Sequence, residues 1–217
     1  MLGRPEGLRQ GLSGRPGQVL PGGVRLSVRE IRAPLDEKEA RSLRAGDIVS
    51  LSGELLTARD EAHMRILEML RDGRGIPFRL EGAAIYHCGP IMRSDEGWKV
   101  VAAGPTTSAR MDRLAPEVVR QCHPRLMIGK GGMSSETLEA MKEVGCAYLA
   151  FPGGAAVLAA QALPEVLEVH WEDLGMPEAV WRMRVEGMGP LVVAMDSHGR
   201  SLFKEVEDAV RKRSVLL

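Results

Sequence analysis

The chain has 217 residues, of which 44% are hydrophobic, and its 29 Lys and Arg are balanced by 29 Asp and Glu. That length and apolar share support one sizeable core and exclude wholesale disorder, while formal neutrality excludes a surface whose overall field gathers nucleic acid or anionic membrane. No apolar run approaches the roughly 20 residues of a membrane-spanning helix, and the opening MLGRPEGLRQ lacks a signal-like apolar stretch, so a soluble, cytoplasmic protein is expected.

In chain order, residues 1–23 hold ten Gly or Pro and little periodicity, which predicts a flexible leader, with a domain over 24–217. Alternation predicts a strand over Val24–Arg32, and Asp36 with Glu39 spells a capping box opening a short helix that ends near Arg44. A strand over Asp47–Ser52 follows, then a helix over Ala58–Arg71 stopped by Gly73. Arg59, Asp60 and His63 fall in the first turn of that helix. Further strands are predicted at Ala83–Cys88, Lys99–Ala103, Leu126–Ile128, Ala147–Phe151, Leu167–Trp171, Val180–Val185 and Leu191–Met195. Helices are predicted at Thr107–Leu114, Pro116–Gln121, Glu136–Val144, Ala155–Ala162 and Ser201–Arg211. The middle reads as a βαβ unit and the stretch from Leu167 to Met195 as antiparallel strands, which together make a mixed α/β domain.

Three segments place polar residues where a strand gives way to a helix, the usual ligand-binding edge of an open α/β sheet. In Gly104-Pro105-Thr106-Thr107-Ser108-Ala109-Arg110, Thr106 or Thr107 can cap a helix whose free N–H groups converge with the Arg110 guanidinium on an anion. A well-capped helix with a solvated Arg accounts for the same residues. In Ile128-Gly129-Lys130-Gly131-Gly132, a Lys in a Gly-rich turn can approach a ligand closely, although the spacing is not that of a nucleotide-binding Walker loop. In Thr57-Ala58-Arg59-Asp60-Glu61-Ala62-His63, Arg59 and His63 either face a ligand or are solvated on a helix surface. Tyr86 and His87, at another strand end, suit a substrate contact or the core equally. Cys88, Cys122 and Cys146 are odd in number and widely spaced, with no CxxC, and read as small buried hydrophobes. The methionines near the end of the chain read as core filler.

Taken in order, ARDEAH, YHCGPI, GPTTSARMD, IGKGGM, FPGGAAVLAA, HWEDLGMPEAVW and VAMDSHG resemble the β subunit, or C-terminal half, of class I fumarate hydratase and of L(+)-tartrate dehydratase. The resemblance covers roughly Val24 to Phe203, leaving the leader and the tail from Gly199 without clear counterparts. It implies a single mixed domain of the swivelling β/β/α type, and a hydro-lyase whose active site is divided between this portion and an α portion. The α portion would ligate an oxygen-sensitive [4Fe-4S] cluster with one iron free to act as a Lewis acid on a C4 dicarboxylate. This chain would ligate no metal.

Carried over motif by motif, the resemblance makes Thr106 the catalytic base, and Arg59, Thr107, Arg110 and Lys130 the substrate-binding residues. Three cations would compensate a dianion and stabilise the aci-carboxylate formed as a proton leaves the neighbouring carbon. The implied partners are an α subunit and a C4 dicarboxylate, in an α–β pair or a heterotetramer of two such pairs. The motifs are shared by both kinds of enzyme and do not separate their substrates; fumarate and malate rank ahead of tartrate as the commoner metabolic case. A stand-alone dicarboxylate-binding module is the alternative from another class.

Overall fold

The structure, a computed structural model, describes residues 27–214. The expected leader and the first residues of the Val24–Arg32 strand lie outside the described residues. Nine strands and six helices follow: β1 Val28–Ala33, α1 Glu37–Arg41, β2 Ile48–Thr57, α2 Asp60–Arg71, β3 Ala84–Tyr86, β4 Ile91–Ser94, β5 Trp98–Ala102, α3 Ala115–Cys122, β6 Leu126–Gly129, α4 Ser135–Val144, β7 Ala147–Ala150, α5 Ala156–Gln161, β8 Glu165–His170, β9 Val180–Met195 and α6 Leu202–Ser214.

The capping box forms as the sequence predicts. Glu39 N–H donates to Asp36 Oδ1 at 2.7 Å, and Asp36 N–H donates to Glu39 Oε2 at 2.9 Å, which fixes the start of α1. Left-handed His123 and Gly145 end α3 and α4, each amide bonding back to a carbonyl of the last turn.

Seven strands form one sheet in the order β1-β2-β3-β6-β7-β9-β8, and β2 also pairs with β9. That extra pairing closes β2, β3, β6, β7 and β9 into a barrel-like ring, with β1 and β8 extending it and a separate β4–β5 hairpin beside it. The ring explains why β9 is one 16-residue strand and not the two short ones expected: register shifts along its pairing with β2 bend it around the barrel without ending it. β2 likewise runs past Ser52 through Gly53, whose φ of +104° and closeness to Ala33, 2.0 Å from a would-be Cβ to the carbonyl oxygen, only glycine allows. The short β4 was not expected from the sequence.

β2, β3, β6 and β7 are mutually parallel. Their side chains alternate between two apolar layers: Ala84, Tyr86, Leu126, Ile128, Ala147 and Leu149 in one, Ile85, Met127 and Tyr148 in the other, the latter joined by residues of α2, α3 and α4. Burial on both faces is what makes these strands read as continuous apolar runs. Because the four strands point the same way, their carboxyl ends share one edge, and the segments singled out above leave from it.

Candidate active site

Arg59 and Lys130 emerge from that edge, and the segment after β5 brings Arg110 to it. Arg59 follows β2 as the residue capping α2, in an extended conformation. Its guanidinium lies against Gly89, where a Cβ would meet Nη1 at 2.6 Å. Lys130 follows β6. Thr106, Thr107 and Arg110 belong to the segment after β5, which is stitched between the ends of β3 and β6. Thr106 N–H donates to His87 O at 2.7 Å, Lys130 N–H donates to Thr106 O at 3.2 Å, and Ser108 N–H donates to Lys130 O at 3.0 Å. Thr106, Thr107 and Lys130 are thereby held side by side, with Thr107 and Lys130 paired as a one-residue parallel bridge.

The same bonds correct one expectation. The helix predicted over Thr107–Leu114 is a short 3-10 turn, Ser108–Met111, and neither threonine caps it with its side chain. Thr106 and Thr107 are extended because their neighbours are committed to strand-like pairing, and the helix restarts only at α3, where Pro116 fits the first turn. Two of the amides expected to await an anion are already engaged, so charge recognition here rests on side chains. Thr107, Arg110 and Lys130 are exposed, and the side chains of Thr106, Thr107 and Lys130 make no hydrogen bond within the described residues.

Two carboxylates accompany the cations. Asp60 Oδ2 lies 2.9 Å from Arg110 Nη2 and 3.9 Å from Arg59 Nη2. Glu178, from the loop before β9, lies 3.2 Å from Arg59 Nε and accepts from Glu61 N–H at 3.2 Å. Burial draws the Glu178 pKa upward, against the opposing pull of the Glu61 amide and the Arg59 guanidinium. Arg59 Nε and Asp60 Oδ2 are buried ion-pair members set off the hydrogen-bond line, which leaves both with directional bonding capacity. Asp112 secures the adjoining turn: its Oδ1 accepts from Ser134 N–H and Thr137 Oγ1, each at 2.9 Å, and so ties the turn that carries Arg110 to the start of α4.

All five sequence-identified residues therefore meet at one edge. Reasoning from sequence missed the partners: Asp60 stands in the ARD motif, but nothing local says that its carboxylate reaches Arg110, and Glu178 lies 117 residues beyond Glu61. His63 and His87, for which a surface or substrate-facing position was open, are fully buried.

The donor set does not suit an iron-sulfur cluster. Cys88, Cys122 and Cys146 are free and buried, and burial pushes their thiols up to about 12, 11 and 12, away from the thiolate form that ligation needs. Among the described residues, no three His, Cys, Asp or Glu are grouped to hold a metal ion.

A closed, mixed sheet that brings three cations and two threonines to one edge defines an α/β domain with a polar strand edge, and the sequence profile of the Fumarase C-terminus family matches residues 20–206. The chain belongs to that family. It is 46% identical over 181 residues to the putative L(+)-tartrate dehydratase subunit beta of Methanocaldococcus jannaschii, covering 82% of this chain and 93% of the relative. It is 42% identical over 176 residues to the L(+)-tartrate dehydratase subunit beta of Escherichia coli (strain K12), covering 81% and 86%. It is also 41% identical over 179 residues to the putative fumarate hydratase class I of Geobacillus stearothermophilus, covering 82% of this chain but 34% of that longer relative.

Proposed function

We propose that this chain is the β subunit of a two-subunit hydro-lyase that reversibly hydrates fumarate to malate, supplying the proton-transfer and dicarboxylate-binding half of a divided active site. The observation that carries the reading is the convergence of Arg59, Thr106, Thr107, Arg110 and Lys130 on one strand edge, from segments that are far apart in sequence. Arg110 grips one substrate carboxylate with its fork and Lys130 supplies a point charge beside Thr106, while Arg59 faces the other end of the dianion. Thr106, uncommitted within this chain, acts after its hydroxyl proton has passed to an acceptor outside this chain, and as the alkoxide takes the proton from the carbon next to a carboxylate. The surrounding cations stabilise both the alkoxide character of Thr106 and the aci-carboxylate charge.

The [4Fe-4S] cluster belongs to the α subunit in this reading and would supply a Lewis-acid iron for the departing hydroxyl. Two such pairs form a heterotetramer, and the buried free thiols suit the cytoplasm. Tartrate is the second reading for the substrate, favoured by the names of the two β-subunit relatives above. A dicarboxylate-binding module without chemistry is the reading from another class.

The test is anaerobic co-purification with the α subunit and cluster reconstitution, followed by turnover of fumarate, malate and tartrate against either subunit alone. Activity confined to the mixture supports the divided site and names the substrate. A mixture that neither associates nor turns over any of the three, beside an isolated chain that still binds a dicarboxylate, overturns the catalytic reading in favour of the binding module. In the assembled enzyme, the double change Thr106→Val with Arg110→Ala should abolish turnover while the chain stays folded.

A further inference from the structure

Beneath the cationic edge lies a line of polar side chains that the mechanism does not use. Tyr148, Ser108, His87 and His63 are each 0% exposed. Tyr148 OH lies 2.9 Å from Ser108 Oγ, and Ser108 Oγ lies 2.8 Å from His87 Nδ1. The His87 ring meets the His63 ring edge to face, with centroids 5.4 Å apart and planes at 64°. His63 Nδ1 then lies 2.8 Å from the carbonyl oxygen of Arg59. Nε2 of each histidine is buried and has no hydrogen-bond partner.

Counting protons along this line leaves one consistent arrangement. A carbonyl oxygen only accepts, so His63 carries its proton on Nδ1 and presents a lone pair at Nε2. Ser108 has one proton and two neighbours. If His87 Nδ1–H donated to Ser108, the serine would donate to Tyr148 and the buried tyrosine proton would have no acceptor. If Tyr148 donates to Ser108 and Ser108 donates to His87 Nδ1, every hydroxyl proton is placed. His87 then carries its proton on Nε2, the opposite tautomer to that of His63. Burial favours the uncharged form of both rings.

We propose that Tyr148, Ser108 and His87 form one directional hydrogen-bond chain that meets the His63–Arg59 carbonyl hydrogen bond across the edge-to-face ring contact, with the two histidines held in opposite tautomers, and that Ser108, His87 and His63 are positioning residues. The chain joins the two halves of the site. His87 O and Ser108 N–H flank Thr106 and Thr107, while His63 secures the residue that carries the Arg59 guanidinium. The sequence at Gly129 is shaped for it: a Cβ there would lie 2.0 Å from Ser108 Oγ and 3.3 Å from both His87 Nδ1 and Tyr148 Oη. The positioning role rests on the proposed function of Arg59 and Thr106, whereas the tautomer assignment does not.

The experiment is long-range proton–nitrogen correlation NMR of the imidazoles in the nitrogen-15-labelled full chain at neutral pH. The expected result is His63 protonated on Nδ1 and His87 on Nε2. His87 protonated on Nδ1, or either ring as an imidazolium, overturns the chain. Tyr148→Phe should keep the His87 tautomer, because the serine proton still points to Nδ1, and Ser108→Ala should lose it. In the enzyme assembled with its α subunit, Ser108→Ala should lower kcat roughly tenfold through misplacement of the reacting groups, with KM within about twofold of the parent. An unchanged kcat overturns the positioning role. An unsubstituted assembly that turns over no dicarboxylate counts against the proposed function instead, and the tautomers read by NMR still decide the hydrogen-bond chain.

Discussion

Asp60 holds Arg110 across two elements: Oδ2 at the start of α2 lies 2.9 Å from Nη2 in the turn after β5. The same oxygen is 3.9 Å from Arg59 Nη2, so one carboxylate sits between the two guanidiniums assigned to the substrate. With Glu178 beside Arg59, the edge that looks tricationic in sequence carries two compensating negative charges. In the proposed function a dianion entering the site exchanges partners with Asp60 at Arg110 and Arg59, and meets an uncommitted cation only at Lys130.

Asp60→Asn tests that exchange. Removing the negative charge strengthens attraction for the free dianion but releases Arg110 from its orientation, so KM should fall by a few fold while kcat falls about tenfold. Arg110 is half exposed, and a pair of this kind contributes about 1 kcal/mol or less to stability, so the melting temperature should barely move. Steady-state kinetics of the assembled enzyme, beside a thermal melt of the chain, check both halves. A higher KM would mean that Asp60 presents Arg110 to the substrate more than it competes for it.

Arg110→Lys keeps the charge and removes the planar fork. A carboxylate gripped in two parallel bonds would retain one, which predicts a loss of roughly 1.4 kcal/mol, or about tenfold in kcat/KM, with the fold unchanged. Equal kcat/KM in parent and variant would show that Arg110 acts as a point charge only.

Much of this arrangement was legible in the sequence, and the gaps have physical causes. Period-two burial, the Asp36–Glu39 capping box and glycine stops act within a few residues, so most elements were readable. The motif order identified the family, and the five candidate residues were legible because each stands in a local phrase of that order. Thr107–Leu114 misread as a helix because its fate is set by the ends of β3 and β6: His87 O accepts from Thr106 N–H, Lys130 N–H donates to Thr106 O, and Lys130 O accepts from Ser108 N–H. β9 read as two strands because only ring closure against β2 carries it through Gly187 to Pro190. The carboxylate partners and the His63–His87 contact were out of reach for the same reason, since tertiary closure brings them together.

Gly129→Ala separates packing from backbone preference. The φ of Gly129 lies outside the left-handed region, so alanine is compatible with the backbone, yet its Cβ would lie 2.0 Å from Ser108 Oγ. Ser108 must move, and its bonds to His87 and Tyr148 are strained or broken. Overpacking of this kind costs about 1–3 kcal/mol. For a chain of this size the expected fall in Tm is roughly 2–4 °C per kcal/mol, readable by calorimetry. Gly131→Ala, whose nearest neighbour would be Thr107 Cγ2 at 3.8 Å, meets no such crowding, but its φ of +73° predicts a smaller, conformational cost.

Acid should weaken the fold through the two buried histidines before it titrates most carboxylates. Burial lowers the His63 pKa from 6.5 against the opposing pull of the Arg59 carbonyl and Asp60, and burial with the neighbouring His63 lowers that of His87 well below the same value. Each ring thus binds its proton more readily in the unfolded chain. Their contribution to stability is full above the ordinary value of 6.5 and is lost as pH falls from there toward the depressed folded pKa values. Within that window each ring adds a slope of up to about 1.4 kcal/mol per pH unit. Denaturant unfolding of the full chain at intervals between pH 7.5 and about 5 measures it. His87→Gln, compared at the same pH values, should be less stable at neutral pH but should show a shallower dependence, with one ring removed. A parent whose unfolding free energy stays flat across the window would mean that the rings already reach a proton acceptor in the folded chain, contrary to their burial.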